Sequence, residues 1–381
     1  MKPIRHNGCY PSRQEALQRL QVLESIIQHP QTSPSPHTEE LLNFLKHPHR
    51  DVRYAAAEIF GQLGEAVRDQ IPALIDLLTE TDRFVHFAAI EALSKLKPTA
   101  KAWQSQLARL LEHEKWDVRF DAIETLAEWN AEEYIPQIVS LLEDEDLRVR
   151  SAAVDALGKL GELTSQYIPQ VMARQIANHL DDTDASVRSS AAWALGNLGD
   201  VAKAYIPQIA SRLEDEDPSV RSAAAVALGY LGKEAKTNRH ISQIALQRIS
   251  SLLEDEDPSV RSTALEVLGE MGEDTKMYVP RMAALQIIAR LQDHDPLVRS
   301  AAVQALGKLG EMTTKMCIPD ILTCLDDADP SVRASAVWAI GNLGRLAKDH
   351  IPRIRGCLAD EEWIVRSAAR EALDALYENF R

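Results

Sequence analysis

Several side chains recur in this sequence at spacings that could do chemistry. Acidic runs come first: Glu143-Asp144-Glu145-Asp146, Glu214-Asp215-Glu216-Asp217 and Glu254-Asp255-Glu256-Asp257. They could draw a cation, but they lack the Gly and closing Glu spacing of a calcium loop, and acids at a helix start are explained as caps that complement the dipole. A ladder of arginines, each following a Val, runs Arg53, Arg119, Arg150, Arg188, Arg221, Arg261, Arg299, Arg333 and Arg366 and could track an anion. Cys324 and Cys357 lie 33 residues apart and could pair in redox or metal work. Leu141 and Leu252 occupy the same places elsewhere, so ordinary core packing is expected there. His86 stands where the ladder has Arg and reads as a surface substitution. No Gly-x-x-x-x-Gly-Lys-[Ser/Thr], His-Glu-x-x-His or Gly-x-Ser-x-Gly occurs. The sequence therefore assigns no catalytic residue, no metal ligand and no cofactor, and the balance is against an enzyme.

Aromatic residues give a more specific pattern. Two residues after the recurring Val stand Tyr54, Phe87 and Phe120, and six residues after it stand Glu58, Glu91 and Glu124. Nine of the chain's twenty aromatics fall between Tyr54 and Tyr134. Farther on, Trp-Ala-(Leu/Ile)-Gly-Asn-Leu-Gly occurs twice, placing Trp193 with Asn197 and Trp338 with Asn342; Tyr230 shares the register of the two asparagines. Exposed aromatics repeated in register are costly to solubility, and Trp is a favoured interface anchor. The alternative is that they cover gaps between imperfectly stacked helices.

The elements that position these residues are repeats. Val-Arg anchors, with His86 replacing one Arg, fall at Val52, Val85, Val118, Val149, Val187, Val220, Val260, Val298, Val332 and Val365, at intervals of 31 to 40 residues. The fullest copy, Asp217-Pro218-Ser219-Val220-Arg221 through Gly232, is a helix with its punctuation. Asp217 is the N-cap, Pro218 suits the first turn and Gly232 supplies a left-handed end. Val220, Ala223, Ala224, Ala227, Leu228 and Leu231 form one apolar stripe. A shorter helix precedes each unit, entered by Ile-Pro or Val-Pro at Pro72, Pro136, Pro169, Pro207, Pro280, Pro319 and Pro352. Longer first helices fill the intervals of 38 and 40. Neither helix of a hairpin can bury its face alone, so neighbours stack. Small inner residues, with Gly nine positions after the Val, allow approach at roughly 8 to 10 Å, and ten repeats span on the order of 100 Å. Offsets two, six and ten from the Val then face the concave surface.

These residues resemble the HEAT repeats, in particular the subgroup named after phycobilisome lyases, whose pattern looks like Asp-x-x-Val-Arg-x-x-Ala-x-x-Ala-Leu-Gly-x-Leu-Gly. The resemblance runs from Thr38 to the C-terminus. It weakens where His86 replaces Arg, Lys115 replaces the capping Asp, and Ser94, Ala127 and Asp374 replace the inner Gly. It implies an all-α solenoid of about ten hairpins, with the Arg ladder tying neighbours together through acids such as Asp217 or Asp257. A HEAT-like iron hydroxylase would need several His-Glu pairs; His113-Glu114 is one. A glycosylase relative would need a basic groove.

The organisation expected is a terminal arm with a capping helix and Pro/Ser loop over 1–37, then one continuous repeat domain over 38–381. The finished look of both ends suggests a complete array. A charge of −15 argues against nucleic acid, no apolar run approaches a membrane span, and four cysteines without a CxxC pair suit a cytoplasmic protein. The reading that follows is a non-enzymatic protein-interaction scaffold. Its groove residues are Tyr54, Glu58, Phe87, Glu91, Phe120, Glu124, Trp193, Asn197, Tyr230, Trp338 and Asn342, and its partner is a protein or peptide of basic and apolar character. The alternative is a phycobilin lyase-like or chromophore-handling role, in which the groove takes an open-chain tetrapyrrole.

Overall fold

A computed structural model describes residues 11–27, 38–63, 67, 69–79, 82–96, 103–161, 168–234, 239–274, 281–309 and 311–379. Among them every regular element is a helix, and none is long and apolar enough to cross a membrane. The architecture is the α-solenoid anticipated above. The chain divides into two compact units, 1–165 and 166–381.

The first unit holds α1 (Arg13–Ile27), then four hairpins: α2 (Thr38–Leu45) with α3 (Arg50–Leu63), α4 (Ile71–Leu77) with α5 (Arg83–Lys95), α6 (Gln104–Ala108) with α7 (Trp116–Glu128), and α8 (Ile135–Ser140) with α9 (Leu147–Gly161). Helix α1 begins with a reciprocal cap. The Ser12 amide donates to the Glu15 carboxylate at 3.0 Å, and the Glu15 amide donates to Ser12 Oγ at 3.4 Å. Ala16, Leu20 and Leu23 bury its inner face, and Arg19 ties it to Glu40 of α2 at 2.7 Å.

The second unit holds six hairpins: α10 (Ile168–Asn178) with α11 (Ala185–Asn197), α12 (Ile206–Ser211) with α13 (Pro218–Glu234), α14 (Arg239–Ser251) with α15 (Pro258–Asp274), α16 (Arg281–Ala289) with α17 (Pro296–Lys308), α18 (Glu311–Thr323) with α19 (Pro330–Gly341), and α20 (Ile351–Gly356) with α21 (Trp363–Asn379). The long intervals do lengthen first helices: α10, α14 and α16 have 11, 13 and 9 residues against 6 in α12, although α18 reaches 13 within an interval of ordinary length.

All ten anchoring valines are completely buried, which is why the periodicity reads so cleanly. Inner helices meet almost backbone to backbone. A Cβ built on Gly196 would lie 2.7 Å from the Ala227 Cα, and one on Gly269 2.8 Å from the Ala305 Cα, so Gly at this position is steric necessity. The capping prediction also holds, since the Ser219 amide donates to Asp217 Oδ1 at 2.8 Å. Lys115, lacking an acceptor, gives α7 no side-chain cap.

Two expectations need correction. Gly232 does not end its helix, because α13 continues to Glu234; the left-handed glycines are its equivalents Gly199 and Gly344, with φ of 57° and 54°. Pro319 is not an entry residue, because α18 starts eight residues earlier and carries the proline inside it. The proposed entry at Pro280 lies outside the described residues.

Candidate binding surface

The arginine ladder is structural. Arg119, Arg188, Arg221, Arg261, Arg299 and Arg333 each fork onto an Asp of the next repeat: Asp144, Asp215, Asp255, Asp293, Asp327 and Asp360, at 2.7 to 3.0 Å. The remaining nitrogen donates to two carbonyls of the arginine's own turn, as Arg221 does to Asp215 and Glu216. The partner acid is not the one expected. Asp217 and Asp257 serve as caps, while the Asp two residues earlier receives the guanidinium, because it sits at the turn and faces back toward the preceding repeat.

The acidic runs thus divide their labour. Their first acid meets an outer-helix arginine of the following repeat, as in Arg290 with Glu254 at 2.8 Å and, at the equivalent Asp326, Arg353 at 2.9 Å. Their third acid reaches farthest into solvent: Glu216 and Glu256 are both 90% accessible, against 84% and 76% for Glu214 and Glu254. Asp327 and Asp360 are held below the usual carboxylate range, chiefly by their arginines. The thiols behave as core. Cys324 is buried and Cys357 half-buried, and burial raises both pKa values.

Against this framework the first-unit row stands out. Tyr54 on α3 is half-buried and donates its hydroxyl to Glu58 Oε1 one turn away at 3.3 Å. The Tyr54 pKa is raised, first by the Glu58 charge, then by burial and the Glu58 hydrogen bond, with Glu91 adding from α5. Phe87 on α5 is 61% exposed, and Glu91 pairs with Lys95 at 2.8 Å. Phe120 on α7 is half-buried, edge-on to Trp116 at 6.5 Å between ring centres. Glu124 is half-exposed. The six residues therefore lie on three consecutive inner helices of one unit, with only part of each side chain committed to packing.

In the second unit the aromatics are more dispersed. Tyr230 on α13 is exposed, Trp193 and Asn197 on α11 are half-buried, and Trp338 and Asn342 are exposed at the end of α19. A Cβ on Gly307 would lie 3.3 Å from the Trp338 ring, so this indole partly covers the junction with α17. The two Trp-Asn copies are four repeats apart, roughly 40 Å at helix-packing distances, and do not form one pocket.

Sequence reading missed a second set at the starts of the inner helices. Phe84 is 64% exposed under the Arg50 guanidinium, 5.5 Å from its ring centre. Arg148 lies 3.3 Å from the Trp116 ring centre and forks onto Asp146. The signal was available one or two positions before the Val, where several other copies carry Pro-Ser. His86 was also misplaced. It is buried, 6% accessible, because its ring fills the space between α5 and α7 and its Nδ1 sits 3.0 Å from Asp121 Oδ2.

Stacked helical hairpins tied by forward-reaching arginines, with a partly open aromatic and acidic face on the inner helices, define a repeat protein built to present surface. HEAT-repeat models match residues 38–105, 104–174, 173–239 and 284–374, and a second HEAT model matches 245–275. The chain belongs to the HEAT-repeat family. No curated protein matches it significantly. Solved structures of similar fold include importin β crystallised with ammonium sulfate (16% identity, TM-score 0.69, 96% of this chain and 58% of that one). Others are a Kap95:Nup1 complex (16%, 0.65, 95% and 55%) and Kap95 bound to RanGDP (15%, 0.62, 95% and 53%). The chain spans little more than half the length of these proteins, and the likeness is one of fold.

Proposed function

We propose that this protein is a non-enzymatic scaffold that holds a protein or peptide segment of basic and apolar character on the inner face of its first unit. The supporting observation is the in-register row Tyr54, Phe87 and Phe120 beside Glu58, Glu91 and Glu124. The rings supply contact area, and the carboxylates orient a cationic segment and speed its encounter. Structures of the same fold in complex with protein partners, Kap95 with Nup1 and with RanGDP, support a protein-binding role.

The test is capture of partners by the full chain from its host, repeated after Glu58, Glu91 and Glu124 are all changed to Lys. A stoichiometric protein partner lost on charge reversal supports the reading. Retention of every partner by the triple variant refutes the choice of face. The finer resemblance to phycobilisome-lyase-type repeats belongs to a different outcome, in which the purified protein carries a long-wavelength bilin absorbance and the plain scaffold reading fails.

A further inference from the structure

The junction between α5 and α7 departs from the clamped junctions at three positions together. His86 stands where they have Arg, and His113 stands where they have the receiving Asp. Asp121 stands where the other nine copies have Ala, Ser or Thr. The His113 ring accepts the Lys115 amide at 3.1 Å, doing for its turn what Asp144 does for Asp146 at 2.9 Å, but it offers no carboxylate to an arginine. The link across the junction is instead buried His86 to buried Asp121. The close glycine contact is missing too, since Ser94 replaces it, and α5 and α7 adjoin over a shorter stretch than α3 and α5. Trp129 Nε1 donates to the Leu93 carbonyl at 3.1 Å as a second tie.

The geometry of His86 dictates a proton count. Its Nε2 contacts the Leu78 carbonyl, which can only accept, so Nε2 carries a hydrogen. The contact between Nδ1 and Asp121 Oδ2 at 3.0 Å then needs a further proton, either on Nδ1 or on the carboxyl. Without it two lone pairs face each other in a buried site. An arginine clamp never loses its proton at ordinary pH; this link can.

We infer that the α5–α7 junction is a proton-dependent hinge beneath the candidate row, closed while the His86–Asp121 link holds its proton and opening when that proton leaves. His86 and Asp121 adjoin Phe87 and Phe120, so the hinge sets the spacing of the two rings and of Glu91 and Glu124. Its effect on a partner rests on the scaffold reading above, whereas the hinge itself is a property of the free chain.

Burial raises the Asp121 pKa to about 6, with His86 opposing and Asp117 and Glu124 adding to the rise. Around the pair, α4 leads into the Leu78 carbonyl and α6 has no titratable side chain, while Arg109 and Glu112 beyond it are exposed. Arg53 and Glu58 on α3 and Asp155 on α9 are half-buried at the flanking positions. The sign follows from the raised value: stabilisation is complete below the unfolded Asp range and is lost as pH rises through about 6.

Hydrogen exchange of the free full chain from pH 5 to pH 8, corrected for intrinsic rates, tests this. Opening of segments 83–96 and 116–128 is expected to rise about tenfold or more across that range. Segments in α13 and α15, whose arginine link keeps its proton, should stay flat. Asp121→Asn places opposite Nδ1 a carboxamide N–H that does not titrate, and should flatten the curve. Equal slopes in the two regions overturn the hinge, and so does a slope that survives Asp121→Asn. Because no partner is present, this outcome is separate from the fate of the scaffold reading, and the wild-type comparison decides even if the variant fails to fold.

Discussion

Replacing Arg299 by Met isolates one clamp. The guanidinium donates to Asp327 Oδ2 at 2.9 Å and Oδ1 at 2.8 Å, and to the Asp293 and His294 carbonyls at 3.0 and 3.2 Å. Both side chains are mostly removed from solvent, at 16% and 15% accessible. Met keeps the packing of the stem, so the loss is that of the fork. Removing one partner of a buried pair leaves an uncompensated charge and costs about 3 to 5 kcal/mol, and the residual exposure here favours about 3. Changing Asp327 to Leu in the same chain removes the stranded charge and should recover most of that cost. Asp327 is depressed chiefly by Arg299, so the clamp stabilises above the unfolded Asp range and its contribution disappears as pH falls through the folded value. Urea unfolding followed by circular dichroism at pH 7 and near pH 2 reads both effects. A cost below about 1 kcal/mol at pH 7, or one equally large in acid, would refute the clamp as a source of stability.

Gly196→Ala should destabilise by about 1 to 3 kcal/mol, because its Cβ would meet the Ala227 Cα at 2.7 Å; an unchanged thermal midpoint would show that the helices can separate freely. Gly199→Ala meets nothing within 4 Å, so its cost should be only the left-handed backbone penalty, about 1 to 2 kcal/mol, measurable in the same melt. The Cys317 thiol is buried, 1% accessible, and pushed up to about 11, so peptide mapping after alkylation at pH 8 should find it unmodified until the chain unfolds.

What the sequence reveals about this fold follows from how a solenoid is held together. Every junction repeats the same requirements, so Val at the core, Gly at the close approach and Asp at the cap recur at readable intervals. Where a requirement is met by a neighbouring repeat, the sequence is less explicit. Both Asp215 and Asp217 look like caps in one dimension, and only the path of Arg188 shows that Asp215 belongs to the preceding repeat. His86 looked like surface drift because its compensating residue, Asp121, lies 35 positions away in a place normally filled by Ala. The row of Tyr54, Phe87 and Phe120 was legible because offset two carries aromatics only there. Phe84 and Trp116 were missed because the start of each helix was read as capping alone.

Apart from Asp374 in the last hairpin, the departures are not scattered. Missing inner glycines at 94 and 127, the missing cap at Lys115, the missing clamp at His86 and His113, and the exposed ring of Phe87 all fall on the second and third hairpins. Among the described residues identical forks stitch α7 to α9 and the successive inner helices from α11 to α21, whereas α5 and α7 are joined without one. Proteins break local rules where function requires it and compensate elsewhere. Here the compensation is visible in the fully clamped junctions of the second unit, from α11 to α21. Drift alone would be expected to loosen a junction without also replacing its small surface residues by aromatics and without supplying a buried acid to match a buried histidine. That coincidence of a softened junction with an aromatic and acidic face makes α3, α5 and α7, rather than the Trp-Asn copies, the stronger candidate for the surface that meets a partner.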